Sequence, residues 1–457
     1  MDRDERERRA AEAGPVAARL ADQGVVGVAL TWVDNSGITR TKAVPVDRLA
    51  NAAAWGVGAS PVFDAFATDD SIIAGRCAGG PVGDLRLLPD LNRTVALAAQ
   101  PGWAWAPADR YTQDGTPHPQ DARDVTRRAV TALADAGLTA KSAIEVEWTL
   151  GLDQDDFVPA TRGPAYGFTR LVEHSDYLAD LLTALREQGV AVEQIHPEYA
   201  AGQYELSVAA EDPLGAADTF VLVRETIRAL SADRGLRASF SPKVVADGVG
   251  NGGHVHLSIW RGGVNLHDGG DGPCGMTDAA ESFAAGILHR LPALLAVGAP
   301  SVASYLRLVP GHWAAPFQAC GHENRETALR LITGGRGEES RAANLEVKVL
   351  DQSANPYLCI AALIFAGLAG LAERSHLPGL VDVDPAGLSE DERARLGIRA
   401  LPGTLTEATD AFEADAVLGA ALGPELAATV ADLRRAEVAR FADSSPREIV
   451  AALRWVF

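Results

Sequence analysis

Eight side chains in four groups could do chemistry together. In AIEVEWTL, residues 143–150, Glu145 and Glu147 stand two apart among β-forming residues, and residues i and i+2 of a strand point to one face. Two carboxylates on one face raise each other's pKa unless a solvated edge or a cation relieves them. For this triplet alone, a solvated strand face is the commoner explanation. The same spacing recurs in His254/His256 and Glu346/Lys348, and Glu198 and Glu205 flank a short loop. Separately, these read as surface acids and satisfied strand histidines. Jointly they offer five carboxylates and one or two imidazoles on otherwise apolar segments. Such hard donors suit Mg or Mn, and a lone His among them does not imply zinc. Neighbouring segments carry Arg307, Arg325, Arg330, Arg336 and Arg341. Acids for cations beside arginines for anions is what phosphoryl transfer needs. No G-x-x-x-x-G-K-[ST] stretch occurs, which excludes a P-loop.

The elements that must carry these groups follow from patterning. Residues 3–23 predict a helix stopped by Gly24. Val26, Val28, Leu30 and Trp32 alternate ahead of the turn Asp34-Asn35-Ser36-Gly37, which predicts a hairpin running to Pro45. SPVFDAF reads as a loop carrying Asp64, and DLRLLPDL and TVALAAQPGWAWAP add short strands. A Pro-, Gly- and Asp-rich connection then places a boundary between a β-rich unit, 1–110, and a larger one, 111–457. In the larger unit, helices are predicted over 121–137, 176–189, 214–235 and 277–297. Between them lie AIEVEWTL, IHPEYAAGQYELSVA, DGVGNGGHVHLSIW, HENRETALRLI and NLEVKVLD as strand-bearing segments. A helical tail follows from Asn355, broken near SEDERARLG.

Composition narrows the class. Of 457 residues, 47% are hydrophobic, enough for a large core, and 41 basic against 61 acidic side chains leave a net charge of −20. That balance argues against nucleic-acid binding and suits a cytoplasmic protein. Cys77, Cys274, Cys320 and Cys359 show no C-x-x-C spacing and read as reduced thiols. The charged N-terminus lacks the apolar stretch of a signal peptide. The apolar run Leu358–Ala372 is too short to span a bilayer, so no membrane association is expected.

In this setting the chain resembles the glutamine synthetase superfamily over nearly its whole length. Six motifs occur in order: VDNSG after the opening strand; EVE; HPE with GQYE; GNGGHVHLS; SYLRLVPG with ENRETALR; and NLEVKV with SANPYL. The resemblance implies an α+β fold, with a small N-terminal β-grasp domain before a catalytic domain built on a curved antiparallel sheet with packed helices. It implies a homo-oligomer, a dodecamer of two stacked rings with sites shared between neighbours. The substrates would be glutamate, an amine and ATP, with two or more Mg2+ or Mn2+ ions per site. By motif position, Glu147, Glu198 and Glu205 would hold one cation, and Glu145, His254 and Glu346 the second. His256, Ser258, Arg325 and Arg330 would contact ATP, and Gly250 and Arg307 the amino acid. Lys348 stands where the family usually has Arg; it supplies a cation without a bidentate fork. Asp64 matches an acid lent by a neighbour to deprotonate the amine, and Tyr166 a residue beside that amine. The implied reaction forms γ-glutamyl phosphate, from which a nitrogen nucleophile displaces phosphate.

The departures direct the functional reading. Trp313 stands where ammonia-using members carry a Glu that helps bind ammonium. An indole removes that charge and adds a broad apolar, cation–π surface. This resembles the γ-glutamyl-amide-forming branch, whose members act on alkylamines, anilines, ethanolamine or polyamines. An ATP-dependent ligase joining glutamate to an organic amine is therefore expected. An ammonia-using glutamine synthetase is the alternative, and a non-catalytic scaffold or sensor a third reading. The loop at Leu388-Ser389-Glu390 has no Tyr for adenylylation, and Val249 and Asn344 replace an Asn and an Arg of the usual pattern.

Overall fold

The computed structural model describes residues 2–77, 79–154 and 156–457. A helix over Arg3–Asp22 opens the chain, with Asp2 accepting the Glu5 N–H as an N-cap. Strands β1 (Gly27–Val33) and β2 (Thr39–Pro45) form the expected hairpin. With β3 (Val57–Ala59), β4 (Leu85–Pro89), β5 (Val95–Ala96) and β6 (Trp103–Tyr111) they make a sheet ordered β2-β1-β6-β4-β3, β5 pairing β6. The alternation of Val28, Leu30 and Trp32 turns those side chains onto the face that buries Ala13 and Leu20 of the first helix. A further helix, Leu49–Trp55, was not anticipated. SPVFDAF is not an irregular loop but a 3-10 turn over Pro61–Ala65: Ser60 Oγ accepts the Val62 N–H, and Pro61 pre-sets the first φ.

After the helix Ala122–Asp135, the chain enters β7 (Thr139–Ile144) and β8 (Val146–Leu152). AIEVEWTL, expected as one strand, breaks at Glu145 and changes sheet there. Further on come β9 (Val192–Pro197), β10 (Gln203–Val208), β11 (Leu236–Ser239), β12 (Val255–Arg261), β13 (Val264–Asn265), β14 (Phe317–Gln318), β15 (Cys320–His322), β16 (Leu329–Ile332), β17 (Asn344–Val347) and β18 (Arg399–Ala400). One sheet runs β11-β8-β10-β9, and the other runs β13-β12-β17-β16-β15 with β7 also on β12. Their pairings are antiparallel except β15 with β16.

Helices Asp278–Gly298 and Pro356–Glu373 are apolar and long enough to cross a membrane by composition, yet both are largely buried in the main core. The helical tail is broken around SEDERARLG as expected: between the helices Pro356–Glu373 and Leu405–Ala414 only one short α-helix forms. Ser389 and Glu392 form a capping box that starts a helix over Glu390–Arg395.

The N-terminal hairpin is socketed into the catalytic part. Asp34, Asn35 and Ser36 of its turn are buried. Asn355 Nδ2 donates to the carbonyls of Val33 (3.2 Å) and Asp34 (3.1 Å), and Arg434 Nη2 donates to that of Asn35 (3.1 Å). Three residues before Asn355, Gln352 Nε2 donates to the carbonyls of Glu145 (2.7 Å) and Gly252 (2.6 Å). One short segment thus clasps both the hairpin turn and the point where the chain changes sheet.

Candidate functional site

A cleft of about 740 Å³ is lined from both catalytic sheets. Strand register explains its chemistry, because directly opposed residues share a face. In one row His256 lies opposite Glu346, which lies opposite Arg330, across β12, β17 and β16. Glu145, at the end of β7, closes this group. His254 Nδ1 is 2.8 Å from Glu145 Oε2 and 3.3 Å from Glu346 Oε1, and His256 Nε2 is 3.1 Å from Glu145 Oε1. Asn344 Oδ1 lies 2.9 Å from His256 Nδ1 and accepts its proton, which leaves Nε2 facing the acid. Arg330 Nη1 (3.0 Å) and Lys348 Nζ (3.1 Å) donate to Glu346.

In the second row Glu147, Glu205 and His196 are opposed across β8, β10 and β9. The loop after β9 brings in Glu198; His196 is 3.5 Å from Glu198 and 3.4 Å from Glu205. His254 Nε2, 4.0 Å from Glu147 Oε1, joins the rows.

Electrostatics separate the two groups. Burial alone would raise Glu145, but hydrogen bonds from His254 and His256 hold it well below the usual carboxylate range. Glu346 falls to about 2: burial opposes this, and Lys348 and the two histidines outweigh it. Glu147 and Glu205 are less fully neutralised, by His254 and His196 respectively. Burial, then neighbouring carboxylates, push each up to about 7. His256 rises to about 9: burial opposes its charge, and Glu145 outweighs burial.

The donor set fits divalent cations. Ligand atoms of Glu145, His256 and Glu346 lie within 4.8 Å of one another, as do those of His196, Glu198 and Glu205. Carboxylates that repel one another in a buried site are what a hard cation relieves. The expected sets were Glu145/His254/Glu346 and Glu147/Glu198/Glu205. All six residues line or border this cleft, with His196 and His256 as additional donors.

Arg307 is buried; Nη2 donates to the carbonyls of Lys348 (3.0 Å) and Leu350 (2.8 Å), while Nη1 has no partner among the described residues. An unpaired guanidinium donor at the cleft suits a substrate carboxylate. Gly250 and Gly252 let the backbone pass close by. A Cβ on Gly250 would lie 2.1 Å from the Pro242 carbonyl oxygen, and one on Gly252 2.6 Å from His254 Nε2 and 2.8 Å from Glu147 Oε1. Arg325 lines the cleft, exposed and without an ion pair among the described residues. Ser258 does not line it: buried on β12, its Oγ accepts the Trp260 indole N–H at 2.9 Å.

One wall is aromatic. Tyr166 Oη donates to Glu198 Oε1 at 2.6 Å, its ring 5.4 Å edge-on to Tyr199. Burial and the Glu198 carboxylate push the Tyr166 hydroxyl far above its usual pKa. Tyr199 stacks on Trp313 with centroids 4.2 Å apart and planes 17° from parallel. Tyr166 (φ 54°) and Trp313 (φ 52°) are both left-handed, a costly backbone for bulky residues that points to a built feature.

Asp64 is not brought to the cleft. It is fully buried in its own unit, Oδ1 2.5 Å from Arg110 Nη1 and Oδ2 2.7 Å from His118 Nε2. Burial would raise its pKa, but Arg110 and His118 hold it below the usual value. Both oxygens are engaged within this chain, where Asp64 balances the buried Arg110. Its expected role as a base lent to a neighbour concerns a partner subunit's cleft and not this one.

Sequence reasoning missed His196, Tyr199 and Gln203, although all lie in the quoted stretch IHPEYAAGQYE. His196 precedes Glu198 by two, the spacing used elsewhere. Gln203 Nε2 donates to Glu147 Oε2 (2.9 Å) and to the Gly250 carbonyl (2.9 Å), which ties Glu147 to the glycine-rich loop.

Comparisons with known proteins agree with this geometry. The family model described as glutamine synthetase, catalytic domain, matches residues 119–450, and that of the glutamine synthetase N-terminal domain matches 15–118. The chain is 56% identical to the gamma-glutamylpolyamine synthetase GlnA3 of Streptomyces coelicolor, over 97% of this chain and 96% of the relative. It is 32% identical to the glutamate–methylamine ligase of Methyloversatilis universalis, over 89% and 91%. Among solved structures, one described as a novel glutamine synthase homolog superposes with TM-score 0.85 at 32% identity, covering 95% of this chain and 99% of that one.

Proposed function

The chain belongs to the glutamine synthetase family, and on that premise we propose that it is an ATP-dependent ligase that makes γ-glutamyl amides from glutamate and an organic amine, with aliphatic polyamines as the amine class. The carrying observation is the Trp313–Tyr199 stack beside Glu198, where an ammonia-using site would need a further carboxylate. The relatives that act on polyamines and methylamine support the same branch.

In this reading the Arg307 Nη1 donor holds a glutamate carboxylate, with Gly250 leaving room for the substrate backbone. Arg325 and Arg330 face the phosphates of ATP. The γ-carboxylate oxygen bonds to the γ-phosphorus as ADP leaves, and the amine nitrogen then bonds to the acyl carbon as phosphate leaves. Glu198, oriented by Tyr166, attracts the ammonium form and accepts a proton from it. Mg2+ or Mn2+ would be held by Glu147, Glu198 and Glu205 with His196, and by Glu145 and Glu346 with His254 and His256; bound there, it supplies charge neutralisation for the phosphoryl group. The assembly is proposed as a double-ring homo-oligomer. The proposed setting is the cytoplasm.

The deciding experiment measures phosphate release with glutamate, ATP and Mg2+ across ammonia, alkylamines, anilines, ethanolamine and polyamines, with products identified by mass. A γ-glutamyl polyamine formed with much higher kcat/KM than glutamine supports the reading. Equal efficiency with ammonia and every amine would return the protein to glutamine synthesis, and no turnover with any would favour a scaffold or sensor.

A further inference from the structure

We infer that Tyr199 is a specificity-determining residue: a fixed platform on which Trp313 settles, so that the two rings select amines by the length of their carbon chain. The inference rests on the organic-amine reading above.

Tyr199 is held from behind. Arg170, buried beneath the loop, donates Nη1 to the carbonyls of Glu198 (2.6 Å) and Ala200 (2.7 Å) and Nη2 to that of Tyr199 (3.4 Å). One guanidinium therefore pins three consecutive carbonyls. The Tyr199 N–H donates to Glu198 Oε2 at 3.1 Å, so the carboxylate and the ring keep a constant relation. Edge contact with Tyr166 fixes the ring further. Trp313 is anchored differently. Its segment has left-handed φ at Gly311, Trp313 and Ala315, and its indole is 42% exposed. Among the described residues its one aromatic stacking partner is Tyr199.

This geometry splits the amine site into two ends. Glu198 receives the reacting nitrogen. Tyr199, next in sequence, starts an aromatic surface that Trp313 extends outward. An amine with no carbon beyond its nitrogen gains nothing from that surface. An aliphatic diamine lays methylenes along it and sets its distal ammonium against π-faces, which attract cations. Removing the Tyr199 ring removes part of the surface and the support that places Trp313.

The test compares wild type, Tyr199→Ala and Tyr199→Phe in the full oligomer, using kcat/KM for putrescine and for methylamine. Tyr199 is 37% exposed, so its truncation opens no core cavity; the Phe variant keeps the stack without the hydroxyl. The putrescine-to-methylamine ratio is expected to fall about tenfold or more in Tyr199→Ala and to stay within about twofold in Tyr199→Phe. A wild type that prefers putrescine and keeps that ratio in Tyr199→Ala would overturn the role of Tyr199 alone. A wild type that uses neither amine would overturn the ligase reading with it. Equal losses for both amines in Tyr199→Ala would assign the ring to orienting Glu198 and not to selectivity, which also overturns it.

Discussion

Glu147 and Glu205 oppose each other directly across β8 and β10, two buried carboxylates whose repulsion His196, His254 and the Gln203 amide soften without cancelling it. Both are pushed up to about 7 from a reference of 4.5, so between these values the folded, cation-free protein binds protons that the unfolded chain does not. Stability must then fall as pH rises through that window. His256, raised to about 9, extends the fall upward, while His267, pushed down to about 4 by burial, opposes it below about pH 6.5. The melting temperature of chelator-treated protein should therefore be lower at pH 8 than at pH 6, and saturating Mg2+ should remove most of the difference. A melting temperature that rises over this range without cation would contradict the assignment.

Trp313→Glu should move selectivity toward ammonia. Burying carbon on the indole is worth about 0.8 kcal/mol per methylene, so a few methylenes correspond to a ten- to hundredfold preference. Kinetics with ammonia and a polyamine side by side should show the ratio narrowing by about that factor. An unchanged ratio would remove Trp313 from the amine site.

Gly252→Ala places a methyl group against His254 and Glu147, the first held by Glu145 and Glu346 and the second paired across the sheet with Glu205. The variant should fold, because the crowding is with side chains at the cleft, yet bind Mn2+ weakly and lose about a hundredfold or more in activity. Electron paramagnetic resonance of Mn2+ would report binding directly. Full Mn2+ affinity would show that neither side chain is a ligand.

Asp64→Ala should act on stability. It leaves Arg110 buried without its closest counter-charge, a change that costs about 3–5 kcal/mol. Chemical denaturation should show the loss. Wild-type stability combined with a raised KM for the amine would place Asp64 in the amine site after all.

Sequence patterning made the site's strands legible because the period of two is the signature of a shared face. It found His256 and Glu346, which do oppose each other, and Glu198 and Glu205, which do converge. Its shared-face reading of Glu145 and Glu147 does not hold, although motif position assigns them to separate cation sets. A strand that changes sheet in mid-run looks, in sequence, like one that does not; only the partners β12 and β10 reveal the switch. That switch sends the two acids into separate groups. The surroundings of Asp64 were hidden for a different reason. Its motif position says nothing of Arg110 and His118, which are 46 and 54 residues away in sequence and close around it only in the folded chain. Tyr199 was hidden because an aromatic beside a ligand has no spacing signal of its own.

The clasp made by Gln352 and Asn355 limits how this enzyme can be re-engineered. Asn355 grips the N-terminal hairpin, and Gln352 grips the carbonyls of Glu145 and Gly252. A chimera that borrows the N-terminal unit from another relative brings a foreign plug to this socket, and any misfit is passed three residues along to the backbone at Glu145 and Gly252. Grafts made across this joint must exchange the turn at 34–37 and the segment at 351–355 as one piece.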